Sequence, residues 1–157
     1  NGFAIGGGNV LATLCDLTIA ADSAQFGQVG PKVGSVDPGF GTAYLSRLVG
    51  EKKARELWYL CRRYTAAEAV TMGLANIAVP DGELDAEVHR WCDELLQRSP
   101  MALAIAKRSF NADTEHLRGT ALAGFQAVGL YYNTDEAKET GSAFKERRKP
   151  KFSGRKE

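Results

Sequence analysis

Gly6-Gly7-Gly8 stands directly before a helix-compatible run, Asn9-Val10-Leu11-Ala12-Thr13-Leu14-Cys15. The first turn of a helix leaves backbone N–H groups unpaired and carries partial positive charge, and glycine there lets a carbonyl oxygen come close. Such a turn can stabilise an oxyanion without any side chain. Three glycines also mark tight turns and close packing, so the bland reading stands beside the chemical one. From Phe26 to Gly41 the chain is dense in Gly27, Gly30, Pro31, Gly34, Pro38, Gly39 and Gly41. That density breaks any regular period and reads as a long irregular loop, a kind of segment that commonly carries function. Within it Asp37 precedes Pro38, where an Asp ordinarily accepts backbone hydrogen bonds in a turn. Lys32 faces either solvent or a phosphate. Trp58 and Tyr59 lie on a helical run and are core residues by default. Tyr131 and Tyr132 are adjacent and point in different directions, so at most one faces a site. His89 and His116 sit among polar helical neighbours and read as surface residues.

The elements that must hold these groups follow from periodicity. Leu17-Thr18-Ile19-Ala20-Ala21 has the β-branched centre of a buried strand. Helical spacing runs over 42–48 and 52–61 with Gly50 between them as a stop. Thr65-Ala66-Ala67-Glu68 matches a capping box, and Gly73 closes the short helix behind it. Residues 75–79 read as a strand before Pro80. Beyond Asp81-Gly82 the pattern is helical throughout: 84–97, 100–111 behind a Ser99 cap with Pro100 in the first turn, about 117–133, and 136–147.

The chain has 157 residues, 44% hydrophobic and 25% charged, which is the composition of one ordinary globular domain. The net charge of +1 hides an asymmetry, because residues 145–157 hold seven Lys or Arg against two Glu. Anion binding is therefore expected to be local, and no nucleic-acid partner is indicated. Cys15, Cys61 and Cys92 are odd in number and widely spaced, which points to neither a disulfide framework nor a metal site. A reducing cytoplasm fits best. No apolar run approaches the roughly 20 residues that span a bilayer, and no membrane partner is expected. Asn1-Gly2-Phe3-Ala4-Ile5 reads like chain entering a motif already under way, so further sequence is expected upstream.

Asn1-Gly2-Phe3-Ala4-Ile5-Gly6-Gly7-Gly8, then Cys15-Asp16-Leu17-Thr18-Ile19-Ala20-Ala21, then Phe26-Gly27-Gln28, together resemble the signature of the crotonase (enoyl-CoA hydratase/isomerase) family. The likeness continues through Arg47-Leu48-Val49-Gly50, Ala66-Ala67-Glu68-Ala69 and Met72-Gly73-Leu74-Ala75. It implies an α/β fold: the later turns of a ββα spiral over 1–80, and a helical region over 81–157 that builds homotrimers, often paired into hexamers. The N-terminal part of the domain lies outside this sequence. In that family two backbone N–H groups hold the thioester oxygen of an acyl-CoA; the second aligns with Gly7 and the first lies upstream of Asn1.

Enoyl-CoA hydratases place catalytic glutamates where this chain has Val10 and Gly30, and neither of these can move a proton. The loop Gly30-Pro31-Lys32-Val33-Gly34-Ser35-Val36-Asp37-Pro38-Gly39-Phe40-Gly41 is instead similar to two branches that handle carbon–carbon bonds, 1,4-dihydroxy-2-naphthoyl-CoA synthase and 2-ketocyclohexanecarboxyl-CoA hydrolase. Val29, residues 35–39, 49–59 and 102–111 are nearer to the hydrolase. The resemblance implies Asp37 for general acid/base work, Ser35 to orient it, and Tyr132 to hydrogen-bond a substrate carbonyl. Some of the synthases hold a bicarbonate as base. Gly30 implies room for one, lined by Gln28 and Trp58, but Val29 replaces a hydroxyl-bearing Thr, so bicarbonate is disfavoured and water or chloride is the expected occupant. Lys145, Arg148 and Lys149, with Phe144, are expected near the CoA of a neighbouring subunit. No metal or redox cofactor is implied. The expected activity is hydrolytic ring opening of a 2-ketocyclic acyl-CoA. Its rivals are ring closure, another hydratase-like specificity, and a non-catalytic crotonase-like module, which is where the missing first oxyanion donor would lead if these residues were the whole gene product.

Overall fold

The computed structural model describes residues 1–37 and 39–152, so Pro38 within the glycine-rich loop and the basic residues of 153–157 lie outside the described part. The chain opens with β1 (Phe3–Ile5), α1 (Gly7–Leu14), β2 (Ile19–Ala21) and β3 (Gln25–Gly27). The loop beyond carries a short helical turn, α2 (Gly30–Val33), and a π-helical turn, Phe40–Tyr44, that runs into α3 (Leu45–Val49). Then come α4 (Glu51–Leu60), β4 (Arg63–Thr65), α5 (Ala66–Thr71) and β5 (Ile77–Val79). The remainder is α6 (Leu84–Leu96), α7 (Pro100–Ala112), α8 (Glu115–Tyr132) and α9 (Asp135–Lys145).

Two small sheets organise the first half. In one, β3 lies between β1, which it pairs in parallel, and β4, which it pairs antiparallel; Phe26 stands opposite Ala4 on one side and Tyr64 on the other. In the other, β2 pairs β5 in parallel, with Ala20 opposite Ala78. Parallel neighbours require crossovers, and α1 supplies the one between β1 and β3. The core between sheets and helices is built from Phe26, Leu45, Leu57, Trp58 and Tyr64, closed by small residues such as Ala20, Ala54, Ala66 and Ala69. Alanine at so many core positions lets backbones approach closely. The expected capping box is present: Glu68 N–H donates to Thr65 Oγ1, and Thr65 N–H to Glu68 Oε2.

The loop departs from its expected irregularity at both ends, since β3 forms its start and helix resumes at Phe40. Its middle is fastened by the C-terminal helices. Gly34 has φ +75°, and a Cβ there would stand 2.6 Å from the carbonyl oxygen of Ala137 and 3.1 Å from the amide nitrogen of Gly141, both on α9. Only glycine meets both demands. Tyr59, expected in the core with Trp58, lies instead on the outer face of α4 and is 68% exposed, because residues adjacent on a helix diverge by about 100°.

Candidate active site

Gly7 is the first residue of α1, and β1 brings the chain to it beside β3, where Gly6 N–H donates to Gly27 O at 2.9 Å. Strand pairing thereby fixes where the unpaired N–H groups of the first turn point. Gly6 and Gly7 stand at the edge of a cavity of about 220 Å³ that Val10, Gln28, Gly30, Ser35, Asp37 and Trp58 also line. The sequence-expected Gly7, Ser35 and Asp37 therefore do converge.

Asp37 is half occupied by structure. Its Oδ1 accepts from Gly39 N–H at 3.0 Å and from Gly41 N–H at 2.6 Å, so it holds the backbone that enters the π-helical turn. Its Oδ2 has no hydrogen-bond partner among the described residues. The ordinary turn role therefore engages one oxygen of the carboxylate and leaves the other unengaged by it. Ser35 does not orient Asp37 as expected. Its Oγ lies 2.8 Å from the Tyr132 hydroxyl, either being able to donate, and the pair joins the loop to the last turn of α8. Tyr131, expected to turn away if Tyr132 faced the site, stays close as well: the two rings are 6.0 Å apart, and Tyr131 lines a neighbouring cavity that Ser35 also borders. Burial, then Glu136, raises the Tyr131 phenol above its usual pKa and keeps it a neutral donor.

Gly30 does not leave a space where a side chain would go. A Cβ on it would stand 2.6 Å from Ser35 O and 2.9 Å from Trp58 Cζ3. The donors expected to face an anion are also committed: Trp58 Nε1–H donates to Gly41 O at 2.5 Å, and Gln28 Nε2–H to Asn9 Oδ1 at 3.0 Å. With Val29 in place of a hydroxyl-bearing residue, these groups do not fit a bicarbonate. Val10 closes the other side; its Cγ2 sits 2.6 Å from where a Cβ on Gly41 would be.

Lys145 and Lys149 are exposed and line neither this cavity nor its neighbour. Arg148 is engaged at home, donating to Glu139 and Glu146, and Lys151 N–H donates to Glu139 Oε1 at 2.8 Å. Arg148 first, then that amide, holds Glu139 down to about 2. Sequence reading missed Asn9, whose signal was a polar residue inside an otherwise apolar helix start. Asn9 is wholly buried, and its Nδ2, like Oε1 of Gln28, has no hydrogen-bond partner among the described residues. Among the described residues no cluster of His, Cys, Asp or Glu could hold a metal ion, and no helix is long and apolar enough to cross a membrane.

Gly7 at a helix N-terminus and Asp37, its Oδ2 unpaired among the described residues, thus line one small cavity on an α/β frame, an arrangement able to receive an oxyanion. The enoyl-CoA hydratase/isomerase family model matches residues 1–155. The chain belongs to that family, and its mixed α/β architecture is the crotonase fold. It is similar to an enoyl-CoA hydratase from Mycobacterium avium subsp. paratuberculosis, with 30% identity and TM-score 0.89 over 97% of this chain and 62% of that one. A carnitinyl-CoA hydratase from Mycobacterium avium gives 29% identity and TM-score 0.84 over 99% and 61%. A methylmalonyl-CoA decarboxylase solved with 2-nitronate-propionyl-CoA gives 25% and 0.79 over 99% and 61%. The chain thus spans about three fifths of the length of these relatives.

Proposed function

We propose that the full protein binds an acyl-CoA, stabilises its thioester enolate at Gly7, and opens the ring of a 2-ketocyclohexanecarboxyl-CoA type substrate by hydrolysis. The observation that carries this reading is the fate of the two hydratase glutamate positions. Val10 is apolar, and Gly30 has Ser35 O and Trp58 where a side chain would stand, while Asp37 lines the same cavity and keeps one carboxylate oxygen unpaired among the described residues. Water addition by a glutamate pair has no place there, but enolate chemistry with a single acid/base does.

In the proposed reaction, Asp37 Oδ2 takes a proton from water as its oxygen bonds to the ring ketone carbon. The hydroxyls of Tyr132 and Ser35 hydrogen-bond the ketone oxygen. The bond between that carbon and the thioester α-carbon then breaks, its electron pair forming the enolate whose oxygen Gly7 N–H receives. The proton returns to the α-carbon, leaving a carboxylic acid at one end and the CoA thioester at the other. Lys145 and Lys149 serve CoA phosphates, and the assembly is a homotrimer or hexamer in the cytoplasm, with no metal or redox cofactor.

Ring closure to a naphthoyl-CoA is the second reading, because it needs the same enolate and the same Ser35, Asp37 and Tyr132. The test offers the full-length protein 2-ketocyclohexanecarboxyl-CoA and, in parallel, succinylbenzoyl-CoA, with thioester products followed by mass spectrometry. Pimeloyl-CoA is the expected product. A naphthoyl-CoA product would transfer the assignment to the synthase, and turnover of neither would favour a binding module. Asp37→Asn is expected to lower turnover about 10²-fold or more while CoA binding stays nearly intact. Undiminished turnover would reject the role given to Asp37.

A further inference from the structure

A second cavity, of about 400 Å³, lies between α2 and α8. Its walls are Pro31, Val36, Ala127 and Val128, with Tyr131 and Glu136 as polar lining. Ser35 and Val36 line this cavity and the one at Gly7 alike, so the two are neighbours on either side of that short segment, which the Ser35–Tyr132 hydrogen bond ties to α8. Among the described residues neither cavity is lined by Lys or Arg; the ionisable carboxylates that line them are Asp37 and Glu136.

From this juxtaposition we infer that the α2–α8 cavity receives a compact, uncharged acyl portion, and that Glu136 bars acyl groups ending in a free carboxylate. The inference rests on the thioester lying at Gly7. Apolar walls favour a saturated ring through burial of its surface. A second carboxylate in this cavity meets the like charge of Glu136, while the cations Arg148 and Lys151 border a different recess on which Glu136 also opens. Hydrolytic ring opening turns a neutral ring into a chain with a terminal carboxylate, so the same residue that admits the substrate opposes retention of the product. Ring closure on a substrate that already carries a free carboxylate would work against Glu136 from the start.

The test measures calorimetric binding of cyclohexanecarboxyl-CoA, a neutral probe without the ketone, and of pimeloyl-CoA to the full-length protein and to Glu136→Gln, at about 0.05 M and about 0.5 M salt. The variant is expected to bind pimeloyl-CoA about three- to tenfold more tightly at low salt, with the gain shrinking at high salt and the neutral probe unaffected. No gain, or an equal gain for both probes, overturns the role of Glu136. Ala127→Trp, which fills the cavity, is expected to weaken the ring probe about tenfold or more and to leave acetyl-CoA unaffected. An unchanged ring probe overturns the cavity assignment. These are binding readouts, so the charge discrimination can hold where ring opening fails, and ring opening can hold where Glu136→Gln changes nothing. Failure of every acyl-CoA to bind rejects both.

Discussion

At Asn9 and Gln28 two primary amides meet, one 0% and the other 2% exposed, and they share one hydrogen bond where four polar groups need partners. A buried amide left without its partner costs roughly 1–3 kcal/mol. Gln28→Met is therefore expected to destabilise the protein by about that amount, because the Asn9 side chain loses its one hydrogen-bond partner among the described residues. Asn9→Leu should cost similarly, and the double variant less than the sum of the two, since an apolar pair leaves no orphan. Denaturant melts of the four proteins measure this, and strictly additive costs would show that the amides do not act as a pair. The same reasoning makes Asn the right replacement for Asp37. It keeps an oxygen for the Gly39 and Gly41 amides, so lost turnover reports the missing charge rather than a broken turn. Residue type alone could not divide these roles. The turn reading and the acid/base reading of Asp37 both fit its place before Pro38; the fold shows that the turn uses Oδ1 alone, which leaves the two readings compatible.

Elements long enough to carry a period were legible: α6, α7 and the capping box of α5 begin and end within a residue or two of expectation. The three-residue strands β1, β3 and β4 were not. Gln25-Phe26-Gly27 and Arg63-Tyr64-Thr65 are too short to alternate and carry Gly, Arg or Gln; what makes them strands is their pairing with one another. The fastening of the loop by α9 was equally hidden, because a contact between distant segments leaves no local pattern. It yields a prediction at this scale. Gly34→Ala combines a left-handed φ with a Cβ 2.6 Å from Ala137 O, and is expected to cost about 1–3 kcal/mol and to weaken substrate binding by displacing Ser35. Gly82→Ala, with open space around it, should stay within about 0.5 kcal/mol. Equal melting temperatures for the two variants would refute the packing argument.

Across the molecule, acid is expected to loosen the fold through Glu56. Tyr64 O–H donates to its carboxylate at 2.7 Å and Lys53 at 3.1 Å, with Arg62 alongside, and these hold Glu56 down to about 2. Its ordinary value is 4.5, so the unfolded chain binds the proton first as pH falls. The contribution is complete above about pH 4.5 and is lost as pH falls toward 2. Glu56→Gln should flatten that part of the stability profile, and an unaltered acid limb would show that the cluster contributes nothing. Apolar side chains stand outward along the C-terminal helices, including Leu96, Met101, Phe110 and Leu130, the kind of surface that a subunit contact covers. The seating of Gly34 against Ala137 and Gly141 has a consequence for synthesis on the ribosome. A nascent chain that has emerged only as far as α8 holds Gly7 and Asp37 but lacks the helix that packs on the segment between them, so that segment takes its final place only after α9 has followed.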